Sequence, residues 1–178
     1  MPWSVGMCEV NDMSVTKPLR DEHQELLPHI ESLRVAAEAA EGNGNGLLTA
    51  LDDVLAFLHH HLIPHAQAED AVLYPKVEQV MQAPGTTATM RRDHVEVVGL
   101  TDELRRLRDS LSRPPTADQR RALQRVLYGL YAIVRLHFAK EEVYLPVLDA
   151  GLAPDEAAKM FKAMHAADGA GGDTTPIG

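Results

Sequence analysis

The chain has one cysteine, Cys8, in 178 residues. That excludes an intrachain disulfide framework and any cysteine-based zinc site. It has no run of 18 apolar residues, so no membrane-spanning helix is expected. Residues 1–10 lack a basic segment followed by a long apolar stretch. No signal peptide is therefore expected, and a cytoplasmic location is the default. Positive charge is in deficit, with 17 Lys and Arg against 26 Asp and Glu, a net charge of −9. That balance argues against a general nucleic-acid binder, which needs a basic surface, and against attachment to anionic membranes. Aromatic residues make up only 4 % of the chain. Its nine histidines outnumber Phe, Trp and Tyr together.

Strand signals are absent, whereas helical periodicity is sustained between clear breaks. Gly- and Pro-rich breaks fall at 42–46, 83–87, 113–116 and 151–154, and a Gly-rich tail, expected to be disordered, begins at Gly169. Between them five helices are predicted, over about 18–41, 47–81, 87–112, 117–149 and 154–167. Thr16 reads as an N-cap of the first, and Thr116 to Gln119 as a capping box for the fourth. Pro64 and Pro75 lie inside the second, where a kink or break is expected. Four long helices on short loops predict an all-α protein, an antiparallel up-down-up-down four-helix bundle with a short C-terminal helix. The domain reading is an arm over 1–16, the bundle over 17–149, the short helix over 150–168 and a tail over 169–178.

One helix pair is written twice. Arg20-Asp21-Glu22-His23 matches Arg91-Arg92-Asp93-His94 at an offset of 71. His65-x-x-x-Glu69 matches His137-x-x-x-Glu141 at an offset of 72. Leu73-Tyr74-Pro75 and Tyr144-Leu145-Pro146 follow, with one residue fewer between Glu141 and Pro146 than between Glu69 and Pro75. The duplication predicts a pseudo-two-fold bundle in which helices one and three are equivalent, as are two and four.

His65 and Glu69, at i and i+4, lie about 40° apart around a helix and roughly 6 Å apart along it. His137 and Glu141 do the same, while His23 and His94 extend the apolar stripes of helices one and three. Six ionisable groups facing a core are very costly without compensation. Four imidazoles and two carboxylates converging between helices are best compensated by metal, with two ions each taking two histidines and Glu69 and Glu141 bridging them. Open positions then remain on each ion for a small ligand. No histidine has Glu three positions before it, as ferritin-like diiron bundles require, and no zincin or deaminase motif occurs.

In this ordered set the chain resembles the hemerythrin-like, or HHE cation-binding, family over about residues 17–149. The resemblance rests on His23, His65-x-x-x-Glu69, His94 and His137-Phe138-Ala139-Lys140-Glu141-Glu142, with Leu73-Tyr74-Pro75. It implies two iron ions, oxo- or hydroxo-bridged, in a four-helix bundle. Oxygen-carrying members have a further histidine where this chain has Val98, and a His-x4-Asp spacing where it has His137-x3-Glu141. These departures point away from reversible oxygen carriage. They point to the bacterial forms, with O2, peroxide or nitric oxide as ligand, turnover left open and the protein partner unknown. Catalase-like dismutation and iron handling or sensing through a partner are the alternatives. Glu142, at i+5 from His137, points about 140° away from it. Beyond the six ligands, His61, one turn before His65, and Tyr74 are candidates for a supporting role around the metals. Gly99 could open space for a ligand or a close helix contact. Met160, Phe161 and Met164 of the last helix cover the bundle end or meet a partner, and Trp3 packs on the bundle or stays mobile.

Overall fold

A computed structural model describes residues 14–42 and 46–171. Trp3, Cys8 and the tail beyond Gly171 lie outside the described residues. Among the described residues all regular structure is helical. The first helix, α1, is Lys17–Ala39. The predicted second helix is one continuous rod made of α2 (Leu47–Phe57), α3 (Ile63–Ala68) and α4 (Tyr74–Met81), joined by π-helical turns at Leu58–Leu62 and Glu69–Leu73. Helix α5 is Ala88–Asp109, α6 is Ala117–Gly151 and α7 is Pro154–Gly171. The last of these runs past the expected end at Ala167.

The π-turns answer the expected kink. Each ends just before a proline, Pro64 or Pro75, at the start of the next α segment. Proline has no N–H to give and its ring crowds the carbonyl four residues back. A turn closed by an i→i+5 bond absorbs one extra residue without ending the helix. These bonds run from Ile63 N–H to Leu58 O and from Tyr74 N–H to Glu69 O. The second turn accounts for the extra residue between Glu69 and Pro75. Proline alone does not impose it, since Pro28 and Pro146 sit inside α1 and α6 without one.

Helix α6 packs against both α1 and α5. One apolar cluster, including Ile30, Leu33, Leu51, Leu58, Leu104, Leu127 and Leu130, fills one side of the bundle. A second cluster, including Leu19, Leu73, Met90, Leu145 and Leu148, fills the other. Met160, Phe161 and Met164 belong to that second cluster. The apolar face of α7 therefore packs inside the molecule.

One local expectation, the Thr16 cap, is corrected. Thr16 precedes α1 without capping it; its hydroxyl donates to Asp149 Oδ1 at 2.9 Å instead. Val98, the position where oxygen-carrying members have a histidine, is 41 % exposed, because the buried stripe of α5 follows Met90, His94, Val97, Thr101 and Leu104. Gly99 has open space around it and brings no helix close. Gly151 does that instead: a Cβ added there would run into Val80 Cγ1. The capping box at Thr116 is present, with Thr116 Oγ1 accepting from Gln119 N–H and Gln119 Oε1 from Thr116 N–H.

Candidate metal centre

All six residues singled out by the duplication are buried together between the two apolar clusters. His23 comes from α1, His65 from α3, Glu69 from the second π-turn, His94 from α5, and His137 and Glu141 from α6. Two triads, His23–His65–Glu69 and Glu69–His94–His137, each place one ligand atom per residue within 4.8 Å of the others. Glu69 is common to both. Its Oε1 is 2.9 Å from His65 Nε2 and 3.6 Å from His23 Nε2, while Oε2 is 3.3 Å from His94 Nε2. Glu141 spans the same gap from the opposite helix, 3.3 Å from His23 Nε2 and 3.7 Å from His137 Nε2.

The outer nitrogens fix how the rings present themselves. His65 Nδ1 lies 3.0 Å from Glu22 Oε1, and His137 Nδ1 lies 3.1 Å from Asp93 Oδ2, which also takes Lys140 Nζ. His94 Nδ1 is 3.1 Å from Asp70 Oδ1. A carboxylate on Nδ1 holds the proton there and leaves the Nε2 lone pair aimed inward. His94 and His137 then face each other Nε2 to Nε2 at 3.0 Å. Among the described residues both ring nitrogens of His23, His65 Nε2, His94 Nδ1, Glu69 Oε1 and Glu141 Oε2 have no hydrogen-bond partner. Buried polar atoms are rarely left so. Convergent lone pairs and carboxylate oxygens are what a cation takes up, so the donor set fits a metal centre.

Without an ion the protons are shared unequally. Burial disfavours the charged imidazole of His65, but Glu69 and Glu22 outweigh it and hold its pKa well above the usual value. His137 is raised too, with the carboxylates of Glu69, Glu141 and Asp93 outweighing burial. Burial pushes Glu69 up, yet the histidines around it hold it well below the carboxylate range. Burial and the charge of Glu69 raise Glu141 to about 7. Two carboxylates sharing one site are forced apart in this way.

The two candidate supporting residues separate. Tyr74 enters the centre: its hydroxyl donates to Glu141 Oε1 at 2.7 Å and lies 3.1 Å from His137 Nε2 and 3.3 Å from His94 Nε2. In an α-helix Tyr74, at i+5 from Glu69, would point about 140° away. The π-turn between them brings it back over Glu69. His61 stays outside; its exposed ring lies beside His29 and Phe57, at 6.5 and 6.4 Å between centroids. The inward positions at that level are taken by Leu58 and Leu62, an aliphatic layer with no partner for an imidazole. The carboxylates on the outer nitrogens, Glu22, Asp70 and Asp93, escaped sequence reasoning. The signal was there, because Glu22 and Asp93 each immediately precede a duplicated histidine.

The hemerythrin HHE cation-binding domain model matches residues 14–148. The chain belongs to this family. The hemerythrin-like chain is 29 % identical over 99 residues to the "Iron-sulfur cluster repair protein YtfE" of Cronobacter sakazakii, covering 54 % of this chain and 45 % of that protein. It is 27 % identical over 116 residues to the protein of the same name from Salmonella paratyphi B, covering 64 % and 52 %. The hemerythrin-like chain thus spans about half the length of the curated relatives it matches. No solved structure matches it. Among the described residues no helix is long and apolar enough to cross a membrane.

Proposed function

We propose that this hemerythrin-like chain is a cytoplasmic non-haem diiron protein that binds or reacts with a small oxygen species, O2, peroxide or nitric oxide. The rods are read as alternating up and down, so that the duplicated pairs close on one centre. The observation that carries the reading is Glu69, shared by two histidine pairs: the inward nitrogens of His23 and His65 have no hydrogen-bond partner, and those of His94 and His137 face each other at 3.0 Å. His23 and His65 would hold one iron, His94 and His137 the other, with Glu69 and Glu141 bridging. Such a pair supplies one- and two-electron chemistry toward small oxygen ligands.

The side chains define what can reach it. A cavity of about 10 Å³, lined by Leu62, Ala66, Val97, Val134 and Phe138, meets His65, Glu69, His94 and His137. That is room for about one water-sized molecule, which favours a diatomic or a peroxide over an organic substrate. The side chains that line it beside the four ligands are apolar. The Tyr74 hydroxyl, held by Glu141, stands ready to donate a hydrogen bond at the His94–His137 side of the centre.

The names of the YtfE relatives favour a second reading, in which the centre serves the repair of iron–sulfur clusters. Repair would draw on the unmatched half of those proteins, or on a partner supplying its role. Metal analysis of protein expressed in iron-rich medium, joined to optical titration with O2, peroxide and nitric oxide, tests the proposal. About two irons per chain, and the charge-transfer absorption of a bridged diferric pair that responds to one of the three ligands, are expected. Colourless, iron-free protein would overturn it. Oxygen evolution from hydrogen peroxide above that of free iron would assign dismutation.

A further inference from the structure

The four histidine rings are not supported alike. Three have a carboxylate oxygen within 3.1 Å of Nδ1: Glu22 and Asp93 hydrogen-bond to His65 and His137, and Asp70 lies beside His94 without hydrogen-bond geometry. Glu22 and Asp93 are equivalent under the duplication. Asp70 follows Glu69 directly, and its equivalent is Glu142, which follows Glu141. By that equivalence Glu142 is the carboxylate for His23. Instead Glu142 Oε2 accepts from Arg20 Nε at 3.2 Å. His23 Nδ1, on a residue only 3 % exposed, has no hydrogen-bond partner among the described residues. Arg20 is itself the equivalent of Arg91, which holds Asp70 from 3.5 Å without drawing it off His94. His23 and Glu142 line the same cavity of about 170 Å³, together with Gln24, Arg135 and Phe138. The space between them is open.

We propose that Glu142 is a two-position carboxylate. One position is the ion pair with Arg20; the other lies across this cavity, where Glu142 would accept the Nδ1 proton of His23 when that ring takes up a metal ion. A cation on Nε2 strengthens Nδ1–H as a donor and favours an anionic acceptor. The Arg20–Glu142 pair it leaves is half exposed and weakly held. Glu142 is then a positioning residue that touches neither ion and orients His23. The proposal rests on the reading of the centre as a two-metal site.

The test uses the full chain loaded anaerobically with ferrous ion, then mixed with an excess of a ferrous chelator, so that release of each ion is timed. Glu142→Gln is expected to speed the release of one ion by roughly 10–100-fold, the usual cost of losing such a partner, and to leave the other unchanged. Asp70→Asn should do the same to the other ion. Arg20→Gln breaks the same ion pair as Glu142→Gln but frees the carboxylate, so it should leave release unchanged or slow it. In the cobalt-loaded protein, Glu142→Gln should also remove one exchange-protected imidazole N–H resonance. The proposal is overturned if Glu142→Gln changes nothing, if it speeds both ions, or if Arg20→Gln speeds release as Glu142→Gln does. Wild-type protein that takes up no ferrous ion overturns the two-metal reading and this proposal with it. Two ions taken up and released unchanged by Glu142→Gln overturn this proposal alone.

Discussion

The two halves of the bundle carry the same ligand frame on different backbones. In the second half α6 runs as 35 uninterrupted residues through His137, Glu141 and Pro146. In the first half the equivalent rod is twice interrupted by π-turns, one beginning at Glu69. The contrast shows most clearly in two residues at the same i+5 spacing. Glu142, five after His137 on a plain α-helix, points outward and pairs with Arg20. Tyr74, five after Glu69 across a π-turn, points inward and reaches Glu141. One inserted residue in one copy thus adds a hydroxyl to a centre that the duplication alone would leave symmetric.

The largest expected break separates the two bridging carboxylates. Glu69 stands in both triads, whereas Glu141 stands in neither. Glu69→Ala is therefore expected to abolish binding of both irons, while Glu141→Ala retains at least one. Iron per chain, measured on the two purified variants, decides it; equal retention would make the halves interchangeable.

Tyr74→Phe removes the hydroxyl that the π-turn brings in. In metal-free protein the unfolding free energy should fall by roughly 1–3 kcal/mol, because a buried Glu141 oxygen loses its donor. Chemical denaturation reads it, and an unchanged midpoint would show that the hydroxyl is replaced by water. A similar loss, roughly 1–3 kcal/mol from overpacking, is expected for Gly151→Ala, where the end of α6 meets Val80. Ile or Leu at the second half's own helix surface, for example at exposed Val143, should change stability far less.

The frame itself was legible in the sequence because it is periodic and repeated. His65 and Glu69 at i and i+4 face one way on any helix, and a second copy at the same spacing makes coincidence a poor account. Helix ends were legible where turn chemistry is local, as in the Thr116 capping box. What was not legible is what depends on backbone irregularity or on tertiary contact. The residue count after Glu69 exposed an insertion, but whether it forms a π-turn, a kink or a break depends on how Pro75 packs. His61 had the spacing of a supporting residue and lacked the surroundings, which are aliphatic at that level. Thr16 had the composition of a cap, but the carboxylate of Asp149, 133 residues away in the chain, takes its hydroxyl.

The smallest expected effect sharpens the same comparison through pH. Glu69 and Glu141 are equivalent in sequence, yet Glu69 is held well below its ordinary 4.5 and Glu141 is raised to about 7. His65 and His137 are also raised, from 6.5. A group with a raised folded pKa binds its proton more tightly in the folded state. Its contribution is full below the unfolded value and is lost as pH rises through the folded one. Glu141, His65 and His137 therefore make the metal-free protein less stable as pH rises from about 5 to about 8. Glu69 has the opposite sign: its contribution is full above 4.5 and is lost only as pH falls through its depressed value. Metal needs neutral imidazoles and ionised carboxylates, so the protons that favour the metal-free fold compete with the ion. Calorimetry should show a Tm for metal-free protein that declines by a few degrees across that range, and a gain on iron loading that grows across it. A metal-free Tm that climbs over the same range would mean that Glu141 and the two histidines do not hold these protons in the folded state.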